Sequence, residues 1–162
     1  MTMAGGFGQG YKPTFGFNTT RYNQPTLASA TPVAWTTGNS PVTLYTVTGT
    51  ILCRVYGTVG ATGVTSTSNT GTLAIGIAST TGLFLAATTA DATNLPAGAI
   101  WIDTSPTLKS EALVATNLTW VLLQTANVIL TIATNSMTAG AVALYMDWIP
   151  ISPGATVVSG SP

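Results

Sequence analysis

Apolar and polar positions alternate along most of this chain with a period of two, and no stretch keeps the 3.6-residue period of a helix. Between positions 45 and 55 the odd residues read Tyr45, Val47, Gly49, Ile51, Cys53 and Val55, against Thr46, Thr48, Thr50, Leu52 and Arg54. That predicts one half-buried strand with a threonine-rich outer face. Leu73, Ile75 and Ile77 then alternate with Thr72, Ala74 and Gly76, and Ser79-Thr80-Thr81-Gly82 reads as a turn into a short run over 83–87. A hairpin is expected there. Further strands are predicted over 100–103, 118–123, 128–133 and 142–148, with a turn at 137–140 and Pro150 closing the last strand.

Seven or eight short strands separated by Gly, Thr, Asn and Pro turns imply an all-β fold, an antiparallel β-sandwich or jelly roll. Threonine makes up about one residue in five, which suits a pleated surface and lets an outer face hydrogen-bond without charge. Three regions differ in texture. Residues 1–40 mix Gly, Asn, Thr and Pro with Phe7, Tyr11, Phe15, Phe17, Tyr22 and Trp35 in no regular period, and read as an extended N-terminal arm that orders by lying on something. The sandwich is expected over 41–150 and a short Pro, Gly and Ser tail over 151–162. Five arm aromatics, Phe7, Tyr11, Phe15, Phe17 and Tyr22, are candidate contact residues, since rings bury large area at low entropic cost.

Charge changes the picture most. Asp, Glu, Lys and Arg together make 5% of the 162 residues, against about 25% in an ordinary soluble domain, and histidine is absent. Such a neutral surface favours association. It also leaves little for catalysis, because general acids, bases and nucleophiles come mainly from the residue types missing here. No enzyme, cofactor or metal is therefore expected. Four bases without a cluster argue against nucleic acid as partner, and the lack of an uninterrupted apolar run of about 18 residues argues against a membrane-spanning helix. Residues 1–10 carry neither the basic nor the apolar part of a secretory signal, so synthesis in the cytoplasm is expected.

The remaining motifs have plain readings. Cys53 alternates with Ile51 and Val55 and reads as a small buried hydrophobe. Asp91, with Thr93 and Asn94 nearby, reads as a turn former rather than a calcium ligand. A glycosidase-like pair among Asp103, Glu111 and Asp147 would need two carboxylates about 5 to 10 Å apart. The glycines at 5, 6, 8 and 10 lack the strand and helix of a phosphate cradle, the threonine ranks are too irregular for ice binding, and Asn18-Thr19-Thr20 and Asn117-Leu118-Thr119 read as chance matches to a glycosylation acceptor. Arg54 and Asp147 stand apart: each interrupts a strand on the face opposite its apolar positions. They are candidate contact residues, paired across strands or across a subunit boundary, because a charge in mid-strand is costly unless hydrogen-bonded.

Gly49-Thr50-Ile51-Leu52-Cys53-Arg54-Val55-Tyr56-Gly57, the run over 72–78, and Ile100-Trp101-Ile102-Asp103-Thr104-Ser105-Pro106 resemble a type of small virion structural protein of tailed bacteriophages. Ala126-Asn127-Val128-Ile129-Leu130-Thr131-Ile132, Thr138-Ala139-Gly140, Tyr145-Met146-Asp147-Trp148-Ile149-Pro150-Ile151-Ser152-Pro153 and Val157-Val158 extend the resemblance to residues 42–160. It implies a capsid decoration or cement protein, a β-sandwich that assembles as a homotrimer on the virion exterior and clamps the major capsid protein. A phage fibre or tail-associated module binding a host surface, and a cellular fibre or surface-layer subunit, are the rival expectations.

Overall fold

The computed structural model describes residues 18–23 as backbone, together with residues 35–102 and 120–160. Twelve strands run through them: β1 (Asn18–Asn23), β2 (Val42–Thr48), β3 (Thr50–Val59), β4 (Thr65–Ser66), β5 (Thr72–Ile77), β6 (Thr80–Thr89), β7 (Ile100–Trp101), β8 (Val121–Gln124), β9 (Asn127–Ala133), β10 (Met137–Ala139), β11 (Val142–Pro150) and β12 (Thr156–Ser159). Every pairing is antiparallel. The first sheet runs β1-β11-β3-β7, with β8 sharing the β7 side of β3; the second runs β12-β2-β9-β5-β6; β4 and β10 form a small third pair. The two large sheets pack against each other as an all-β sandwich.

Its core is built from the inward parity of both sheets: Ile51, Cys53, Val55, Leu144 and Met146 from the first, and Tyr45, Val47, Leu73, Ile75, Val128 and Leu130 from the second. Each large aliphatic side chain removed from water here contributes roughly 1.5 to 3 kcal/mol.

The alternation across positions 45–55 is two strands in two sheets, not one. Gly49 separates β2 from β3 at φ +76°, where a Cβ would lie 2.7 Å from the Ser152 hydroxyl and 3.1 Å from Ala155. Glycine alone accepts that backbone without strain. Odd residues face the core on both sides of the switch, so the sequence pattern runs through it unbroken. The β5–β6 hairpin forms as expected, but its turn is Ala78–Ser79, with Ile77 opposite Thr80. Residues 137–139 are strand β10, paired with β4, and Gly140 follows it as a bridge residue at φ +102°.

Both ends depart further from expectation. The tail contributes β12, whose Thr156 to Ser159 pair with Thr48 to Tyr45 of β2. Pro150 does end β11, but Gly154 at φ +74° returns the chain toward the second sheet, and Val157 and Val158 supply the β-branched residues that pair. At the other end, β1 lies along β11 from Asn18 opposite Trp148 to Asn23 opposite Ala143. Trp35 is fully buried, and its carbonyl accepts the Met137 N–H at 3.0 Å. Part of the expected arm therefore belongs to the domain's own sheet and core. A bare β11 edge would offer unpaired backbone groups to any passing strand, and β1 occupies them.

Candidate functional site

On β3 and β11, the residues opposite the core-facing ones form the outer face of the first sheet. Asp147 stands directly across from Arg54, Tyr145 from Tyr56, and Ile149 from Leu52. Arg54 donates from Nε at 3.1 Å and from Nη2 at 2.9 Å, both to Asp147 Oδ2. The pair is only partly open to solvent, with side-chain exposures of 29% for Arg54 and 10% for Asp147. Its charges cancel where it stands, which is how two of the chain's eight charged residues are tolerated on this face.

Aromatic rings enclose the pair. Tyr56 and Tyr145 stack across the strands with centroids 5.3 Å apart and planes 17° apart. The Arg54 guanidinium lies 4.8 Å from the Trp120 ring centroid, within cation–π range. Burial first, then the negative charge of Asp147, raises the Tyr56 phenol above its ordinary pKa; Arg54 pulls the other way, and a side-chain hydrogen bond to Asp147 adds to the rise. Beside this cluster runs an apolar row, in which Leu122 of β8 stands opposite Leu52 and Leu52 opposite Ile149. Leu122 is 65% exposed, and Ile151, whose N–H donates to the Thr50 carbonyl just past the end of β11, is 55% exposed. The tyrosine rings stack on one another and Trp120 on Arg54, so one face of each of these rings is already engaged.

The other sequence candidates fall elsewhere. Phe7, Tyr11, Phe15 and Phe17 lie outside the described residues, as do Asp103 and Glu111 of the carboxylate set. Tyr22 sits in β1 opposite Leu144. Asp91 closes a local turn: Oδ1 accepts the backbone N–H of Thr93 at 2.8 Å and of Asn94 at 2.7 Å, while Oδ2 accepts the Asn94 side-chain amide. Slight burial opposes the charge, but the Asn94 backbone and side-chain donors and the Thr93 N–H outweigh it and hold the carboxyl below its usual pKa. Cys53 is buried, and desolvation pushes its thiol up to about 12. Among the described residues no group of three His, Cys, Asp or Glu could hold a metal, and no helix is long and apolar enough to cross a membrane.

On the second sheet an uncharged groove of about 500 Å³ opens between Pro41 and Thr43, the hairpin end at Ile77, and Asn127 and Ile129. Sequence reasoning found neither this groove nor the tyrosine stack. The stack was within reach, since Tyr56 lies two residues after Arg54 and Tyr145 two before Asp147, the offsets an antiparallel pair requires. Comparison of the chain with protein-family models, with curated proteins and with solved structures returned no match.

Proposed function

We propose that this chain is a virion structural protein that binds the outside of a capsid shell and stabilises it by contact, as a decoration or cement protein. The observation that carries the reading is the outer face of the first sheet. Among its described side chains the charged pair Arg54 and Asp147 is spent on itself, and Leu122 and Ile151 stand exposed beside polar Gln124. Large exposed apolar groups gathered on one face mark association surfaces. The partners are the major capsid protein and further copies of this chain, assembled as a homotrimer. Repetition over a lattice lets weak single contacts sum to a strong clamp, because each bound copy raises the effective concentration of the next contact.

Mass spectrometry of purified virions tests this directly: the protein should be present in lattice-scale copy number. Shells depleted of it should rupture at lower temperature and recover when it is added back. Absence from virions refutes the proposal.

A further inference from the structure

The tyrosine pair on the outer face of the first sheet is placed for chemistry as well as for packing. Register sets Tyr56 of β3 directly across from Tyr145 of β11, and the rings stack with centroids 5.3 Å apart and planes 17° apart. Both residues are half-buried, so a small diffusible reagent reaches the pair while the paired strands hold the rings together. The chain has five tyrosines. Tyr45 is fully buried, Tyr22 is registered against Leu144, and Tyr11 lies outside the described residues. Among the described tyrosine side chains, Tyr56 and Tyr145 are the two that are both reachable and in contact.

A phenol loses an electron most easily when its proton leaves at the same time, and the unpaired spin then lies partly on the ring carbons ortho to oxygen. The Tyr56 phenol hydrogen-bonds the Asp147 carboxylate, an acceptor for that proton. A second ring held in contact meets the radical at an effective concentration that no free phenol reaches. The sulfurs that compete for oxidants are shielded, since Cys53, Met137 and Met146 are all buried. We infer that Tyr56 and Tyr145 form a cross-linking site, which a one-electron oxidant such as a peroxidase converts to dityrosine, joining β3 to β11 covalently. Two equivalents of oxidant take one electron from each phenol; the Tyr56 proton passes to Asp147 and on to water, and the Tyr145 proton goes to water. The two radicals form one carbon–carbon bond between ortho positions after the rings turn from stacked to edge-on, a fast side-chain rotation. The two ring C–H hydrogens then leave as protons while both oxygens are reprotonated, so the net change is the loss of two hydrogens. This goes beyond the capsid reading and does not depend on it.

The test oxidises the folded full-length protein with a ruthenium tris-bipyridyl photosensitiser and persulfate, under light shown to couple free tyrosine. Dityrosine fluorescence, intact mass, a denaturing gel and peptide mapping are the readouts. The wild type should lose two hydrogens while running as a single chain, and mapping should find positions 56 and 145 in one linked peptide. Tyr56→Phe and Tyr145→Phe keep the ring, and circular dichroism checks that they keep the fold. Each should lower the yield of intrachain dityrosine about tenfold or more. The wild type oxidised in urea, where register is lost, should show no preference for this pair. No intrachain dityrosine in the folded wild type, linkage mapped to other tyrosines or found only between chains, or a yield unchanged in either phenylalanine variant overturns the inference.

Discussion

Removing Arg54 should cost more stability than removing Asp147, although the two make the same ion pair. Arg54→Ala strips two charge-assisted hydrogen bonds from a carboxylate whose side chain is 10% exposed and has little water to turn to. Breaking a fully buried pair this way costs about 3 to 5 kcal/mol; discounted for partial solvent access and for the remaining bond to Tyr56, about 3 kcal/mol is expected. Asp147→Ala leaves a guanidinium that is 29% exposed, rests on Trp120 and can rehydrate, so about 1.5 kcal/mol is expected. The double variant strands no charge of the pair and should lose about 2.5 kcal/mol, which leaves a coupling energy near 2 kcal/mol. Urea unfolding of the four proteins, at concentrations where their oligomeric state is the same and with m-values unchanged, gives the cycle. Additivity within about 0.5 kcal/mol would show that the pair contributes nothing through its contact, and a costlier Asp147→Ala would show that the carboxylate, not the guanidinium, holds the cluster.

Gly49→Ala should destabilise by about 2 to 3 kcal/mol by equilibrium unfolding, because it adds left-handed strain to a clash with Ser152 and Ala155 at the sheet switch. Cys53 should resist thiol reagents at pH 8 until the protein unfolds. With a folded pKa near 12 against an ordinary 9.0, the unfolded chain ionises first, so stability from this residue is intact below pH 9 and falls between pH 9 and 12; Cys53→Ala should flatten that alkaline loss. Deleting residues 1–22 removes nearly all of β1 and should lower stability by about 1 to 5 kcal/mol, the sum of the lost cross-strand pairs, and raise aggregation measured by light scattering.

Strand existence and facing were legible because burial on one face forces a period of two, as β3 demonstrates residue by residue and β11 from Val142 to Met146. Strand ends were less so. The switch at Gly49 leaves no trace in the alternation, since the core lies between the two sheets and parity survives the crossing. Met137-Thr138-Ala139-Gly140 reads as a turn, yet pairing with β4 makes 137–139 strand, a tertiary gain that local composition does not encode. Arg54 and Asp147 were visible as rare charges in mid-strand. Their partners were hidden behind register: once Arg54 faces Asp147, antiparallel geometry places Tyr56 on Tyr145 and Leu52 on Ile149, and the whole face follows from one pair. Trp120 was out of reach, because its meeting with Arg54 depends on where β8 joins β3.

The reassignment of residues 18–23 alters how association would work. A free arm and bare sheet edges suggest assembly by strand addition, in which a neighbour's backbone extends the sheet. In the structure β1 already lies on the edge of β11, and β12 lies on the edge of β2. Backbone hydrogen bonds of β11 and β2 are made within the chain on both sides, so those two strands leave a neighbour only side-chain surface, and the sheet edges on that side are now β1 and β12. Side-chain surface with few charges, one self-cancelling ion pair and an apolar row is suited to packing face against face, sheet on sheet, as the two halves of the sandwich already pack inside the molecule.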